Sequence, residues 1–276
     1  MKGQNIMENK ERLDNFLVKN EFFKSRQKAK FAIDNGNIYI NNIVEKKSSK
    51  LVTSEDKIEI KGEVLPFVSK GGLKLDKAIN NFKIVISNKI CADIGASTGG
   101  FTDCMLQNKA KKVYAIDVGT DQLDKKIKNN SKVINMEQTN IKQIDVSTIE
   151  QMDFIGTDVS FISIIHVLPK IYELLKIKGK SVVLIKPQFE AGPKNINKNG
   201  VVKDIKIHKK IILNIILLAN KLGFNIIDLD YSPIKGPAGN IEYLLYIEKN
   251  ENNLLDIYNI KNKIDCITSE AFKNLK

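Results

Sequence analysis

Three cysteines, Cys91, Cys104 and Cys266, with no CxxC pair among them, leave this chain without the spacing of a zinc site or a disulfide framework. Histidine is scarcer still. His166 lies in an apolar stretch and His208 beside lysines, and both read as structural or surface positions. No apolar run is long enough to span a bilayer, since the greasiest, IILNIILLANKLGF from Ile211, is short and interrupted. The opening residues, MKGQNIMENKERLDNF, carry no apolar segment of the secretory kind. Together these absences lead us to expect a protein of the reducing cytoplasm, with no membrane segment and no metal.

What is present suits a folded protein of two parts. At 276 residues, with 42% hydrophobic and 28% charged, the chain can bury one large core and a small one. Its formal charge of +12, from 44 Lys+Arg against 32 Asp+Glu, suggests a polyanionic partner. An AT-rich genome also inflates lysine, and charge alone does not separate RNA from DNA or from an anionic membrane.

In RLDNFLVKN, Leu13, Phe16 and Leu17 share one helical face. Ser25 suits the N-cap of a second helix, SRQKAKFAIDN, whose Ala29, Phe31, Ala32 and Ile33 are available for packing, and Gly36 suits its left-handed stop. NIYINN and KIEIKG alternate like short strands. Arg26, Lys28 and Lys30 crowd the start of the second helix, where cations oppose the helix dipole. Phosphates gripped there would offset that cost, whereas a solvated basic face would need no partner. Arg12-Leu13-Asp14, Ser25-Arg26 and the turn from Ile33 to Asn41 resemble the small RNA-binding module named after a small-subunit ribosomal protein. The resemblance spans residues 10–61 and implies RNA contacts from Arg12, Ser25, Arg26, Lys28 and Lys30.

After Asn88, strand-like and helix-like segments alternate, as in a mainly parallel sheet flanked by helices. A helix is expected from Ile164 to Leu175, a longer one from His208 to Leu222, and then two consecutive strands forming an antiparallel edge. In DIGASTGGFTD, Asp93 ends the first strand, and Gly95, Gly99 and Gly100 turn the chain into a helix. Such a loop is also an ordinary strand-to-helix turn. However, an acid before it suits a ligand bearing an ammonium and a sulfonium better than a dinucleotide, and S-adenosylmethionine fits that description. The candidate cofactor residues are Asp93, Gly95, Ser97, Gly99, Gly100 and Phe101 of this loop, Asp117 for the ribose hydroxyls, and Asn140 for the adenine edge.

The stretch VVLIKPQFE sets a lysine, Lys186, at the mouth of a core strand. Taken alone it reads as a solvated strand end. Yet ligands of open parallel sheets lie beyond the carboxyl ends of the strands, where Asp158 also stands. With Glu242 in the edge strand and Lys74 before the sheet, a Lys-Asp-Lys-Glu cluster would hold one lysine near neutral through the second cation and partial burial. Pro187 would end the pairing and aim Lys186 into the crevice.

The motifs FVSKGGLKLDKAI, DIGASTGGFTD, AIDVGTDQL, TDVSFIS, LIKPQFEAG and GPAGNIEYLL resemble, in order and over nearly the whole chain, the TlyA family of ribosomal RNA methyltransferases. That resemblance implies an α/β fold: a Rossmann-like class I methyltransferase with a seven-stranded, mostly parallel sheet, preceded by a small α+β RNA-binding domain. It implies 2′-O-methylation of cytidine in rRNA of the 30S subunit, the 50S subunit or both, with S-adenosylmethionine as cofactor and Lys74, Asp158, Lys186 and Glu242 as catalytic residues. The expected organisation is an RNA-binding domain over 10–61, a linker over 62–73 whose Lys70 joins the RNA contacts, a methyltransferase domain over 74–250 and a helical extension over 251–276. The length of that extension leans towards modification of both subunits, and a monomer is expected. Other classes remain: a non-catalytic assembly factor, a small-molecule methyltransferase, and a membrane-active haemolysin, the label the family has carried.

Overall fold

The computed structural model describes residues 10–23, 25–62, 65–250 and 256–275. Glu63 and Val64 of the expected linker, and 251–255 of the expected extension, lie outside them. The chain divides into two compact units between Lys70 and Gly71.

The first unit runs β1 (Glu11–Arg12), α1 (Leu13–Lys19), α2 (Arg26–Asp34), β2 (Ile38–Ile40), β3 (Ile43–Glu45), β4 (Leu51–Val52) and β5 (Ile58–Ile60). Its core joins Leu13 and Leu17 of α1 to Ala29 and Ile33 of α2 and Ile38 of β2. Ser25 caps α2 by accepting the Lys28 amide at 3.4 Å, and Gly36 stops it at φ +73°. The expected strands are β2 and β5. Between them the hairpin strand β3 also forms, turning through Asn41 and Asn42, both at positive φ, a conformation asparagine tolerates.

The second unit opens with α3 (Gly71–Phe82), so residues expected to end the linker form the first turn of a helix. Then follow β6 (Ile90–Ile94), α4 (Gly100–Gln107), β7 (Lys112–Ile116), α5 (Lys125–Lys128), β8 (Val133–Met136), β9 (Met152–Thr157), α6 (Leu168–Leu174), β10 (Leu175–Ile185), α7 (Pro187–Glu190), α8 (Ile205–Lys221), β11 (Phe224–Tyr231), β12 (Tyr243–Lys249) and α9 (Ile257–Asn274). The seven-stranded sheet has the order β11-β12-β10-β9-β6-β7-β8. All its pairings are parallel except those of β12, which runs against both β10 and β11. One face of the sheet packs on α6, α8 and α9 through residues such as Leu168, Ile171, Ile212, Ile215 and Ile264. Towards the other face lie α3 and α4, where Phe82 of α3 stacks on Tyr246 of β12 with ring centroids 5.3 Å apart.

Two expectations change here. The helix expected over 164–175 is a 3₁₀ turn at Ile164–His166 followed by α6, because Pro169 lacks the amide that would carry an earlier helix through. Leu175 already begins β10, whose polar segment KIKGK bulges between Leu175 and Lys180 with Lys178 at φ +63°. The edge of the sheet is β11, and Glu242 stands just before β12, an inner strand.

His166 is exposed, whereas His208 is fully buried. Its Nε2 donates to the Val202 carbonyl at 2.9 Å, which leaves Nδ1 to accept the Tyr243 hydroxyl at 2.8 Å. Burial, opposed by the Val202 contact, lowers its pKa, so it sits neutral as a structural tie.

Candidate active site

Four segments converge on one rim of the sheet. Asp158 follows the last residue of β9 and donates its amide to the Ile94 carbonyl at 2.9 Å, level with the end of β6. Lys186 follows β10, where Pro187 opens α7 at once and turns the chain out of the sheet. Because β12 runs against β10, with Ile185 opposite Tyr243, Glu242 arrives beside Lys186 at the start of a strand rather than the end. Lys74 comes from the first turn of α3.

The expected cluster is thus assembled. Lys186 Nζ lies 2.6 Å from Asp158 Oδ1, and Lys74 Nζ lies 3.2 Å from Asp158 Oδ2 and 2.7 Å from Glu242 Oε2. Both lysines are 7% exposed and Glu242 is 1% exposed. Burial opposes a charge on Lys74, but the carboxylates of Asp158 and Glu242 outweigh it and raise its pKa. Burial likewise disfavours the Asp158 carboxylate, but Lys74 and Lys186 outweigh it and lower its pKa. Lys74 is thereby held as an ammonium, the second cation of the expected cluster, with Asp158 standing between it and Lys186. Glu242 has a close neighbour in Gly236, where a Cβ would come within 2.6 Å of Oε1. That turn is tied down by buried Asn240, whose carbonyl accepts the Gly236 amide at 2.9 Å and whose side chain binds Val202 and Gly200.

Beside the cluster lies the loop after β6. Asp93 is 1% exposed, and its Oδ2 accepts the Thr102 amide and hydroxyl at 2.8 and 2.7 Å. Its Oδ1 is buried without a partner. Burial raises Asp93 to about 7, against the Thr102 hydrogen bonds and with the charges of Asp158 and Asp117. Gly95, at φ +84°, lets this loop approach the one after β9, since a Cβ there would stand 2.7 Å from the Asp158 carbonyl. Asp117 accepts the Ser97 and Gly119 amides at 2.8 and 2.7 Å, and Ser97 itself is exposed at φ +45°. An unpartnered carboxylate oxygen for a cation, a close-approach glycine loop and a second carboxylate one strand away fit S-adenosylmethionine.

Other residues of that expected set stand differently. Gly99, at φ +89°, precedes α4, and Gly100 starts it. The Phe101 side chain is 2% exposed and packs towards Gly156 of β9, so its ring belongs to the core that also buries Cys104 and Met105. Asn140 caps a 3₁₀ turn with its Oδ1, accepting the Lys142 amide at 3.0 Å.

Sequence reasoning missed four residues around Lys186. Ser160 Oγ accepts from Lys186 Nζ at 2.8 Å. Phe161 is 92% exposed at φ +63°, its ring 5.3 Å from that of Phe189, and Phe189 in turn lies 5.9 Å beneath Lys186 Nζ. Glu190 accepts the Ser163 hydroxyl at 2.6 Å and the Ile164 amide at 2.8 Å, stapling the loop after β9 to α7. The one signal in the sequence was an aromatic set among polar residues in DVSFIS, too brief to distinguish a rim from a core position.

Residues 67–249 match the FtsJ-like methyltransferase family, and residues 11–58 match the S4 domain. Hemolysin A of Brachyspira hyodysenteriae is 41% identical over 85% of this chain and 98% of its own. The 16S/23S rRNA (cytidine-2′-O)-methyltransferase TlyA of Mycobacterium tuberculosis is 32% identical over 96% of this chain and all of its own, 100%. The chain belongs to the TlyA/haemolysin A family of FtsJ-like methyltransferases. A solved structure from Streptococcus thermophilus that goes by the hemolysin name, 39% identical, superposes with a TM-score of 0.77 over 96% of each chain.

In this TlyA-family chain the S4 unit uses several of its expected RNA residues internally. Arg12 meets Asp14 through two hydrogen bonds of 3.0 Å, and Arg26 reaches the same carboxylate at 2.8 Å. Asp14, from another helix, thus supplies the anion that offsets Arg26 at the start of α2. The Ser25 hydroxyl is taken up by the cap, and Lys70 pairs with Asp34 at 3.1 Å over the Phe31 ring. Lys30 is exposed and Lys28 half-buried. No described helix is long and apolar enough to cross a membrane, and the described residues contain no cluster of His, Cys, Asp and Glu suited to a metal.

Proposed function

We propose that this enzyme methylates the ribose 2′-oxygen of a cytidine in ribosomal RNA, within the 30S subunit, the 50S subunit or both. The observation that carries the reading is the contact of Lys186 Nζ with Asp158 Oδ1 at 2.6 Å, on the rim shared with the unpartnered Asp93 Oδ1. The tuberculosis relative, named for this reaction, covers the whole architecture.

S-adenosylmethionine, when bound, supplies an electrophilic methyl group on a sulfonium. The chain's own residues do the rest. Asp93 binds the ammonium of the donor, Asp117 its ribose hydroxyls and Asn140 its adenine edge, while the backbone of Gly95, Ser97, Gly99, Gly100 and Phe101 shapes the loop around it. Lys186 receives the proton of the 2′-hydroxyl, Asp158 orients it, and Lys74, fixed as an ammonium by Asp158 and Glu242, supplies positive potential at the oxygen as it becomes nucleophilic. Phe161 offers a free ring face for a base drawn out of its stack, which the buried position of Lys186 requires. Arg12, Ser25, Arg26, Lys28, Lys30 and Lys70 present the basic S4 surface to phosphates, and the two arginines do so from geometry fixed by Asp14.

Transfer of labelled methyl to unmodified 30S and 50S subunits, comparing wild type with Lys186→Ala, tests the reading. Label at a ribose 2′-oxygen that disappears in the variant supports it. A wild type that binds S-adenosylmethionine yet labels neither subunit would instead indicate a non-catalytic assembly factor.

A further inference from the structure

The two lysines of the cluster have different neighbours. Lys74 Nζ touches two carboxylates, Asp158 at 3.2 Å and Glu242 at 2.7 Å. Lys186 Nζ touches one carboxylate, Asp158 at 2.6 Å, and one neutral hydroxyl, Ser160 at 2.8 Å. Ser160 is exposed on the rim, two residues beyond Asp158, in the loop that Glu190 staples to α7.

We infer that Ser160 is the positioning residue that makes Lys186, and not Lys74, the proton acceptor; this rests on the reaction proposed above. The geometry of nitrogen supplies the reason. A tetrahedral Nζ has one bond to its own chain and three other directions. The ion-pair contact with Asp158 and the hydrogen bond to Ser160 occupy two of them, leaving one for the ribose hydroxyl. In the amine form that remaining direction holds the lone pair. The 2′-hydroxyl proton passes to it, the freed O2′ electron pair forms the bond to the methyl carbon, and the methyl–sulfur pair stays on sulfur as a neutral thioether. A second carboxylate at position 160 would hold Lys186 as an ammonium, as Asp158 and Glu242 hold Lys74. A hydroxyl orients the nitrogen without adding that charge. The charged groups bearing on Lys186 are then Asp158 directly, and Lys74 and Glu242 through the shared ion pairs.

The test compares Ser160→Ala, Ser160→Thr and Ser160→Asp with wild type and Lys186→Ala on the full chain and ribosomal subunits. Besides turnover it reads KM for the subunit, S-adenosylmethionine affinity by calorimetry, and thermal melting. Ser160→Ala should lower kcat about tenfold, the loss of one side-chain hydrogen bond, with KM, cofactor affinity and melting unchanged. Ser160→Thr, which keeps the hydroxyl, should stay within about threefold of wild type. Ser160→Asp should lose more than Ser160→Ala at neutral pH and recover as the pH is raised. Wild-type kcat in Ser160→Ala, a loss that threonine does not restore, or a Ser160→Asp deficit independent of pH would each overturn the inference. If Lys186→Ala abolishes transfer while Ser160→Ala does not, only the role of Ser160 falls. Full transfer by Lys186→Ala would instead remove the reaction reading beneath it.

Discussion

The S4 unit and the methyltransferase unit each hold a cluster of alternating charges, and the two are completed differently. In Arg12–Asp14–Arg26 both oxygens of the buried acid accept: Oδ1 from Arg12 Nε and the Asn15 amide, Oδ2 from Arg12 Nη2 and Arg26 Nη2. The Arg12 hydrogen bonds, helped by Arg26 and opposed by burial, hold Asp14 down at about 2. On the methyltransferase rim, by contrast, Asp93 Oδ1 and Glu242 Oε1 are buried and accept from nothing among the described residues. A closed cluster has spent its hydrogen-bonding capacity on the fold. An open one keeps some in reserve at a cost in stability, as functional sites do.

Substitutions can break that contrast, and the largest effect is expected at the open cluster. Lys186→Ala should lower single-turnover methyl transfer to subunits by about 10²–10⁴-fold, the range of a lost general base, while S-adenosylmethionine affinity measured by calorimetry stays near wild type. Next comes Asp93→Asn, which should weaken cofactor binding on the order of 10²-fold by removing a buried charge partner.

The same change should raise stability, in a pH-dependent way. Asp93 titrates near 3.8 when unfolded and at about 7 when folded, so between these values the folded chain holds a proton that the unfolded chain has released. Wild-type stability therefore falls as pH rises through that window. Asp93→Asn is free of this loss, so its melting temperature should exceed wild type at pH 8 and the gap should close towards pH 4. A gap that widens at low pH would reverse the assignment of Asp93 as a destabilised acid.

The closed cluster should show the opposite pattern. Asp14→Asn should destabilise the S4 unit by about 1.5–3 kcal/mol, the worth of hydrogen bonds to a charged group, and lower methylation of ribosomes without lowering cofactor affinity. The contribution of Asp14 is present above its ordinary 3.8 and is lost only as pH falls towards 2, so the two forms should converge in acid. The smallest effect belongs to Lys70→Ala. Its exposed ion pair with Asp34 is worth at most about 1 kcal/mol, and the change should reduce RNA affinity modestly and in a salt-dependent manner. Unchanged RNA affinity and turnover would remove Lys70 from the RNA contacts.

Much of this was legible because strand ends announce themselves. Apolar runs that stop at a charged residue, as in DFIGTD and VVLIK, placed Asp158 and Lys186 where an open parallel sheet binds ligands. What escaped notice depends on partners distant in sequence or on local backbone conformation. Arg26 read as a free cation because nothing in its own helix shows that Asp14, twelve residues earlier, claims it together with Arg12. That the ring of Phe101, a residue grouped with the cofactor loop, turns into the core is fixed by the inward face of α4, which the loop motif alone does not reveal. The strand β3 went unseen because its two turn asparagines adopt positive φ, which composition alone does not reveal. Ser160 was passed over because a serine in a loop carries no pattern until a lysine 26 residues away points at it.

The reversal of β12 has one more consequence. The rim draws on four segments, with Lys74 and Asp158 alone 84 positions apart, and its last acid stands at the head of a strand paired in reverse to β10. A fragment that ends before β12 lacks Glu242, and with it one of the two carboxylates on Lys74. Methyl transfer by this protein is thus a read-out of completed folding: a chain that reaches the ribosome before its reversed strand has docked arrives without a working site.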